Sequence, residues 1–247
     1  MILVTGAAGV CGSILRKAML KAVYTDIVEF ELENQVSQKK IGDLADDVFC
    51  DDVLEGVDTI VHLGGMSDPQ TNWGKVLDAN IIGTSNLFVK AAEKGINKII
   101  FASTNHVVGQ IELDNMPDIY VEGAGIIADS DYPACPDSYY GVSKSFGESL
   151  LSYLCHLHGF SGISLRIGAV LPPDEDSDDA YAIRYRHNHG CIDENKELEL
   201  YNRLSCLRVS NQRWVDSISK LVESKWHGYK VKNMTGTGYS WLKNEMI

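Results

Sequence analysis

The fold is decided near the N-terminus, by the stretch Ile2-Leu-Val-Thr5-Gly6-Ala-Ala-Gly9-Val-Cys-Gly12. Its first four residues predict a short buried strand, and the apolar spacing after the last glycine predicts a helix. Glycines spaced G-x-x-G-x-x-G between a strand and a helix let the chain turn tightly. They also let the backbone approach a pyrophosphate, which then faces the amides of the helix N-terminus. A generic glycine-rich turn is the alternative, because more familiar dinucleotide-binding folds space these residues as G-x-G-x-x-G.

Strand and helix patterns alternate as far as Ser103. After the first strand we predict four more, which are Asp26–Glu31, a strand ending at Ile41, Val57–Leu63 and Lys98–Ser103. This alternation is typical of an α/β protein with a Rossmann-type, doubly wound parallel sheet, whose ligands lie at the carboxyl ends of the strands. We expect residues 1–168 to form the nucleotide-binding domain, and residues 169–247 to form a small substrate-binding portion that is not an independent domain.

Carboxylates follow two of the predicted strands. An acid about 20 residues beyond the glycines can accept hydrogen bonds from the adenosine ribose and repel a 2′-phosphate. We assign this role to Glu31, with Glu29 and Glu33 as alternatives, and the absence of a neighbouring arginine in the sequence favours NAD over NADP. Asp43 could bind the adenine amino group, or it could cap a helix over residues 44–54.

A tyrosine and a lysine four residues apart, Tyr140 and Lys144, lie in a stretch with helical spacing. On a helix the two side chains share one face, one turn apart. A free phenol has a pKa of about 10, and a nearby ammonium group lowers that pKa. Such a pair can remove a proton from an alcohol. The alternative is an amphipathic helix in which the tyrosine packs and the lysine is solvated.

Composition excludes several classes of protein. The chain has 247 residues, of which 45% are hydrophobic and 23% charged, so we expect one large globular domain or slightly more. No apolar run reaches the roughly 18 residues of a membrane span, and no signal peptide pattern is present. Six scattered cysteines without a metal-like pairing predict reduced thiols, no metal site and a cytoplasmic protein. The net charge of -12 argues against nucleic acid or an anionic membrane as a partner.

The motifs occur together in the order found in the extended short-chain dehydrogenase/reductase superfamily, also called the NAD-dependent epimerase/dehydratase superfamily, which this chain resembles. They are Thr5-Gly6-x-x-Gly9-x-x-Gly12, Asp43-Leu44, His62-Leu63-Gly64-Gly65, Asn80-x-x-Gly83-Thr84, Phe101-Ala-Ser-Thr-Asn-His106 and Tyr140-x-x-x-Lys144. The segments from Phe101 to Gly109, from Tyr140 to Glu148 and from Leu165 to Gly168 are similar to uronate dehydrogenases. They also resemble NAD-dependent, short-chain type sugar and glucose-6-phosphate dehydrogenases. Those enzymes oxidise the anomeric carbon of a free sugar to a lactone.

The resemblance implies a role for each matching residue. Tyr140 would be the base, Lys144 would lower its pKa and bind the nicotinamide ribose, and Thr104, five residues before Gly109, would hold the reacting oxygen. The cofactor NAD would contact Gly6, Ala8, Gly9, Val10, Gly12, Glu31, Asp43, Leu44, Leu63, Gly64, Gly65, Asn80, Tyr140 and Lys144. The sugar would contact Ser67, Thr104, Asn105, His106 and Arg203. Turn chemistry is the alternative for the Asn-His pair.

Arg203 is the residue expected to bind the anionic end of the sugar, because relatives place an arginine seven residues before a serine that opens a late helix. The planar fork of arginine binds a carboxylate or phosphate at two points. The alternative is a surface arginine, with Arg184, Arg186 and Arg208 as competitors. We expect Ser210 to open a helix over residues 211–224, and a strand to follow at 230–234.

Three features depart from the uronate dehydrogenase pattern. The segment from Val107 to Ser138 is longer than in those enzymes and closer to the sugar-phosphate relatives. Ala169 replaces the serine expected after Arg-Ile-Gly, and Pro172–Tyr201 is an acidic insertion that we expect to form a solvated loop or lid. A metal at the histidines of this insertion is the weaker interpretation.

We therefore predict NAD-dependent oxidation of a free sugar acid, with glucose 6-phosphate or another aldose as the alternative substrate. An epimerase or dehydratase for nucleotide sugars ranks lower, because only about 80 residues follow Gly168. A non-catalytic NAD-sensing protein is the remaining hypothesis. The superfamily resemblance also implies a possible homodimer.

Overall fold

The computed structural model describes residues 1–18, 21–33, 37–190 and 193–246. Within these ranges a single seven-stranded sheet has the order β3-β2-β1-β4-β5-β6-β7, with every neighbouring pair parallel. Its strands are β1 (Ile2–Thr5), β2 (Val23–Asp26), β3 (Gln38–Ile41), β4 (Thr59–His62), β5 (Lys98–Thr104), β6 (Ser161–Ile167) and β7 (Tyr229–Met234). The strand order reverses between β1 and β4, which is where ligands bind in doubly wound sheets. The predicted α/β, Rossmann-type fold is confirmed.

Helices cover both faces of the sheet. The α-helices are α1 (Val10–Lys17), α2 (Asp47–Val53), α3 (Trp73–Val76), α4 (Gly83–Glu93), α5 (Gln110–Asn115), α6 (Tyr139–His158), α7 (Ala180–His189), α8 (Glu194–Leu207) and α9 (Asn211–Glu223). A π-helical turn, Leu77–Ile82, joins α3 to α4, and short 3-10 turns occur at Asn105–Val108, Asp118–Tyr120 and Pro173–Glu175.

Successive residues of the central strands pack on opposite faces of the sheet. Leu3 and Ile60 lie in one core cluster with apolar side chains of α2, α4 and α6. Their neighbours Val4 and Val61 lie in a second cluster with α1 and α9. Strands buried on both faces read as continuous apolar runs, which is why the sequence pattern predicted parallel strands. Burying each of these side chains contributes about 1.5–3 kcal/mol to stability.

The predicted position of the second strand was wrong. We expected Asp26–Glu31, but β2 ends where that stretch begins, at Asp26. The residues that follow leave the sheet, since Ile27 is 63% exposed and Val28 is 54% exposed. The carboxylate of Asp26 accepts hydrogen bonds from the Ala8 amide at 2.8 Å and the Val28 amide at 3.2 Å. These bonds turn the chain away from the sheet at the strand end.

We expected a solvated loop or lid from Pro172 to Tyr201, and the segment is largely helical, so the loop was wrong while the lid stays a prediction. Most of the insertion forms α7 and the first part of α8, with Cys191 and Ile192 outside the described residues. Asp193 caps α8 because its carboxylate accepts a hydrogen bond from the Lys196 amide at 2.9 Å. Ala180 and Ala182 are buried on α7, and α8 is buried through Leu204 and Cys206, just beyond the insertion. Capping and an apolar face therefore outweigh the acidic composition of the segment.

The late helix and strand are confirmed as α9 and β7. Ser210 caps α9 by accepting a hydrogen bond from the Arg213 amide, and Trp214 joins α9 to α1 through a hydrogen bond from Nε1 to the Cys11 carbonyl at 3.1 Å. The strand β7 pairs with β6, so this part of the chain extends the main sheet. None of the helices in the described ranges is long and apolar enough to cross a membrane. Five cysteines are free thiols, and the sixth, Cys191, lies outside the described residues.

Candidate active site

A cavity of about 900 Å³ lies at the carboxyl ends of the strands, as a doubly wound sheet predicts. Most of the residues that we predicted for the site line this cavity. They are Gly6, Ala8, Gly9, Val10, Asp43, Leu44, Leu63, Gly64, Gly65, Ser67, Thr104, Asn105, His106, Tyr140 and Lys144. The cavity therefore connects the glycine-rich turn to the Tyr-Lys helix. Gly12, Glu31, Asn80 and Arg203 are not among its lining residues.

The glycine-rich turn is shaped to receive a pyrophosphate. Gly6 has a φ of 68°, and a Cβ there would lie 2.6 Å from the Leu63 carbonyl carbon. Gly12 lies behind the cavity, where a Cβ would collide with the Gly6 carbonyl oxygen. Gly9 precedes α1 and offers no side-chain cap, so the first amides of α1 are free to bind an anion. These residues fit the phosphates of a dinucleotide.

The adenosine end of the cavity carries Asp26, which sequence reasoning did not select. Asp26 lines the cavity at the end of β2, whereas Glu31 lies beyond it and its carbonyl oxygen is bonded to the Arg16 guanidinium. Arg16 also pairs with Glu33 at 3.0 Å. Next to Asp26, Thr25 lines the cavity, and its hydroxyl is buried without a hydrogen-bond partner among the described residues. An acid at the end of β2 was the sequence signal for this role, and we missed it because the strand was predicted to end at Glu31.

Asp43 lines the cavity, and its alternative role as a helix cap is excluded. The helix begins at Asp47, and Asp46 caps it by accepting hydrogen bonds from the Val48 and Phe49 amides. Asp43 instead accepts a hydrogen bond from the Ala45 amide at 2.9 Å. A contact between Asp43 and the adenine amino group therefore stays a prediction.

Tyr140 and Lys144 lie on the buried face of the first two turns of α6, and Ser138 caps that helix by accepting a hydrogen bond from the Gly141 amide at 3.1 Å. Burial raises the pKa of Tyr140 to about 12, while a hydrogen bond with Thr104 opposes that shift. Burial also lowers the pKa of Lys144 to about 8.

We predicted that Lys144 would lower the pKa of Tyr140, and in this structure burial has the larger, opposite effect. The Lys144 ammonium lies 4.6 Å from the centre of the Phe101 ring and 5.9 Å from that of the Tyr140 ring. The ammonium is therefore closer to the ring of Phe101, a core residue, than to the phenol ring.

Polar groups for a substrate surround Tyr140. His106 Nδ1 lies 2.6 Å from the Asp137 carboxylate, and its ring makes an edge contact with the Tyr140 ring at 5.7 Å. Burial alone would raise the pKa of Asp137, but hydrogen bonds from His106 and Ser138 hold that pKa below its usual value. The amide nitrogen of Asn105 is buried without a hydrogen-bond partner among the described residues. Buried donors are normally satisfied, and Asn105 is a residue that lines the cavity, so its amide is a candidate to bind a ligand.

Asp137 is a residue that sequence reasoning missed. It lies 31 residues beyond His106, so only tertiary folding brings the two together. Gly109 makes room for the pair, because a Cβ there would overlap the Asp137 carboxylate. The proximity of Asp137 to the Tyr-Lys helix in sequence was the one available signal.

Asn80 supports the site from behind the cavity wall. It lies in the π-helical turn, where its amide exchanges two hydrogen bonds with the Met66 backbone at 2.7 and 2.9 Å. The same amide donates to the Ser143 hydroxyl at 2.9 Å. Asn80 thus joins the loop after β4 to the turn of α6 that carries Lys144.

A buried ion pair, also missed from the sequence, supports the end of β5. Glu148 of α6 binds the Arg166 guanidinium at 3.0 and 2.9 Å and accepts a hydrogen bond from Ser103 at 2.5 Å. Arg166 is 4% exposed and Glu148 is 7% exposed. The pair therefore links α6 to β5 and β6 next to Thr104.

Arg203 does not contact the cavity, contrary to our prediction. It lies on α8, and its guanidinium binds both carboxylate oxygens of Glu112, at 2.7 and 3.2 Å. Its fork is thus engaged within the protein. In the inserted segment, His189 stacks on Tyr185 with the ring centres 4.1 Å apart. The described residues contain no group of three histidine, cysteine, aspartate or glutamate side chains that could hold a metal ion.

Comparisons with known proteins agree with this geometry. Residues 2–208 match the family model described as the NAD dependent epimerase/dehydratase family. An L-arabinose 1-dehydrogenase (NAD(P)(+)) from Haloferax volcanii is 38% identical over 177 residues, which cover 70% of this chain and 68% of that protein. A uronate dehydrogenase from Pseudomonas syringae pv. tomato is 35% identical over 180 residues, covering 71% of this chain and 61% of that protein. This chain thus spans about two thirds of the length of these relatives.

A solved structure shares the fold over nearly the whole chain. It is a tyrosine-to-alanine mutant of uronate dehydrogenase from Agrobacterium tumefaciens, complexed with NAD. The TM-score is 0.75 at 26% identity, and the match covers 98% of this chain and 80% of that one. The family model, the fold and the cradle for a dinucleotide agree with one another. The chain therefore belongs to the NAD dependent epimerase/dehydratase family, as an NAD-dependent oxidoreductase of Rossmann-like α/β fold.

Proposed function

We propose that this protein oxidises the anomeric carbon of a free sugar or sugar acid to the lactone. The observation that supports this best is the convergence of Tyr140, Lys144 and Thr104 at one end of a cavity whose other end is the glycine-rich turn. One end can hold a dinucleotide and the other a small polyol. The relatives named uronate dehydrogenase and L-arabinose 1-dehydrogenase support a sugar as that polyol.

The residues divide the chemistry among them. Tyr140 removes the proton of the anomeric hydroxyl, while Thr104 binds the same oxygen and keeps it in line with the phenol. Bound NAD would accept the hydride from the anomeric carbon, and its nicotinamide ring is positively charged before reduction. The Lys144 ammonium stabilises the phenolate and binds the nicotinamide ribose. Because burial raises the pKa of Tyr140 to about 12, nearby positive charge is needed for the phenol to act as a base.

Separate groups hold the two ligands. We assign the pyrophosphate to the turn from Gly6 to Val10, and the adenosine ribose to Asp26 in place of Glu31. The lone amide donor of Asn105 binds a sugar hydroxyl. His106, oriented by Asp137, and Ser67 bind further hydroxyls.

Other predictions from the sequence stay predictions. They are the division of the chain after residue 168, a cytoplasmic location and a homodimer. The dimer can be tested by light scattering of the purified protein.

The function is tested by supplying NAD and a panel of free sugars and measuring NADH. Replacing Tyr140 by Phe should lower the rate about 10²–10⁴-fold, because it removes the base. NAD binding, measured by calorimetry, should change little. Tyr139→Phe is the matched control, since Tyr139 is 56% exposed and does not line the cavity.

Other outcomes identify other functions. NAD binding without NADH formation on any sugar would point to an NAD-sensing protein. Conversion of a nucleotide sugar without net NADH would point to an epimerase. A Tyr140→Phe variant with the wild-type rate would refute the assigned base.

A further inference from the structure

We propose that the substrate is a neutral aldose, and that Glu112 sets this preference by holding Arg203 away from the sugar. This inference rests on the proposed oxidation of a free sugar and adds the class of that sugar. It replaces our expectation that Arg203 binds a substrate carboxylate.

The Arg203–Glu112 pair is a closed, bidentate contact. Arg203 Nε lies 2.7 Å from one carboxylate oxygen of Glu112, and Nη2 lies 3.2 Å from the other. Glu112 is 4% exposed, so its charge is shielded from water and depends on this arginine. Arg–carboxylate pairs of this geometry are the strong class of charge-assisted hydrogen bonds. A substrate carboxylate would have to displace a partner that is already in place and buried.

Further contacts fix the pair in position. The Tyr120 hydroxyl donates to Glu112 at 2.8 Å, and the Cys206 thiol lies 3.3 Å from the Tyr120 carbonyl oxygen. These contacts attach α8 to α5 and to the turn at Asp118–Tyr120. Arg203 therefore serves to dock α8 on the protein.

The other arginines around the insertion are also bound to carboxylates of this chain. Arg184 pairs with Glu175 and Arg186 with Glu197. Arg208 contacts Asp176 at 2.8 Å and also Asp178. These three arginines are thus engaged by acids of the insertion, two from within it and Arg208 from beyond it. None of these three is among the described residues that line the cavity.

Uncharged side chains face the cavity where an arginine was expected. Tyr181 lines the cavity, and its ring centre lies 5.7 Å from the Arg203 guanidinium carbon, so the phenol ring lies nearer the substrate than the charge does. Ala169, Val170 and Leu171 line the same region.

The described lining of the cavity also offers few cations to an anionic sugar. The described lining residues include the carboxylates of Asp26, Asp43 and Asp78, and the ammonium groups of Lys75 and Lys144. Lys144 belongs to the proposed catalytic machinery, which leaves Lys75 as the one other lysine among them. Asp26 and Asp43 are assigned to the adenosine end, so they do not act on the sugar. A neutral polyol needs no cationic clamp, which fits the small number of cations among the described lining residues.

The test compares sugars that differ only at one position. D-galactose, D-galacturonate and L-arabinose share a ring configuration and carry a hydroxymethyl group, a carboxylate or hydrogen at the same carbon. D-glucose, D-glucuronate and D-glucose 6-phosphate form a second series. We expect kcat/KM with NAD to be at least about tenfold higher for the best neutral sugar than for the matching anion.

The outcomes separate this inference from the proposed function. Equal or higher kcat/KM for the anions overturns the neutral-aldose assignment and leaves sugar oxidation standing. No NADH with any member of either series overturns the proposed function, and this inference with it.

Two variants test the role of the ion pair. Arg203→Lys should lower the melting temperature and leave the neutral-to-anionic ratio of kcat/KM within about threefold of wild type, because a docking residue affects all sugars alike. A selective rise in KM for the anions would show that Arg203 binds them, which contradicts the proposal. The double variant Glu112→Leu/Arg203→Met replaces the pair by apolar groups, a change that proteins often tolerate. If this variant folds by circular dichroism but no longer oxidises neutral sugars, Arg203 acts on the substrate and the proposal fails.

Discussion

Replacing Lys144 by Met should stabilise the protein at neutral pH while removing its activity. Lys144 is 5% exposed, and burial lowers its pKa from 10.5 to about 8. A shift of this size corresponds to about 3 kcal/mol of destabilisation when the lysine is charged, since each pKa unit is worth about 1.4 kcal/mol. The lost contact with the Phe101 ring offsets about 0.5–2 kcal/mol of that gain. We expect a net gain of about 1–3 kcal/mol.

Because the pKa of Lys144 is lowered in the folded protein, the stability difference between the two proteins depends on pH. Below pH 8 the lysine is charged in both the folded and unfolded states, so the wild type carries the whole burial penalty. Between pH 8 and 10.5 the unfolded chain binds more protons than the folded one, so wild-type stability rises with pH. The advantage of the Met variant should therefore shrink over this window.

Urea unfolding of both proteins at about pH 7 and about pH 10 measures this difference. The exposed Lys243 provides a matched control, and Lys243→Met should change stability by less than about 0.5 kcal/mol. A Lys144→Met variant that is less stable than wild type at neutral pH would refute the reasoning. So would an advantage that is the same at both pH values.

Three further predictions concern carboxylates. Glu148→Gln should lower the free energy of unfolding by about 3–5 kcal/mol, because it leaves Arg166 buried without its counter-charge. The control in the same urea assay is Glu29→Gln, which removes an ion pair with Lys39 whose acid is 74% exposed and should change the free energy of unfolding by less than about 1 kcal/mol. Equal losses in the two variants would contradict this prediction. Asp26→Ser should raise the NADP-to-NAD ratio of kcat/KM at least about tenfold by removing repulsion of the 2′-phosphate, and an unchanged ratio would assign that role elsewhere. Asp137 has a lowered pKa when folded, so it stabilises the protein above its unfolded pKa of about 3.9 and this contribution is lost as pH falls through the folded value. The deficit of Asp137→Asn in urea unfolding should thus vanish in acid, and a constant deficit would count against the His106 contact.

The sequence predicted those features that depend on local spacing. The glycine-rich turn and the apolar strands define the sheet locally, and the four-residue interval between Tyr140 and Lys144 places both on one helix face. The site predictions that were wrong concern residues whose contacts are far apart in the sequence. The contact of Arg203 with Glu112 joins residues 91 apart, and no local pattern reveals that the guanidinium already has a partner.

The error at Asp26 had a different cause. The strand β2 has four residues, and the apolar Ile27 and Val28 beyond it prolong the strand pattern although they are exposed. A hydrogen bond from the Ala8 amide to Asp26 ends the strand, and this bond comes from the glycine-rich turn of β1. Strand ends in a parallel sheet are set by such neighbours.

The number of residues in the π-helical turn between α3 and α4 determines which side chains of α3 face the cavity. A π turn holds one residue more than an ordinary helical turn, and each residue corresponds to a rotation of about 100°. Deleting one residue within Leu77–Ile82 would convert this region to a continuous α-helix and rotate everything before it by that angle. Leu87 and Ala91 of α4 would stay in the core, while Lys75 would turn away from the cavity and the fully buried Val76 would leave its present position. An insertion or deletion at this turn would thus change which side chains α3 presents to the cavity.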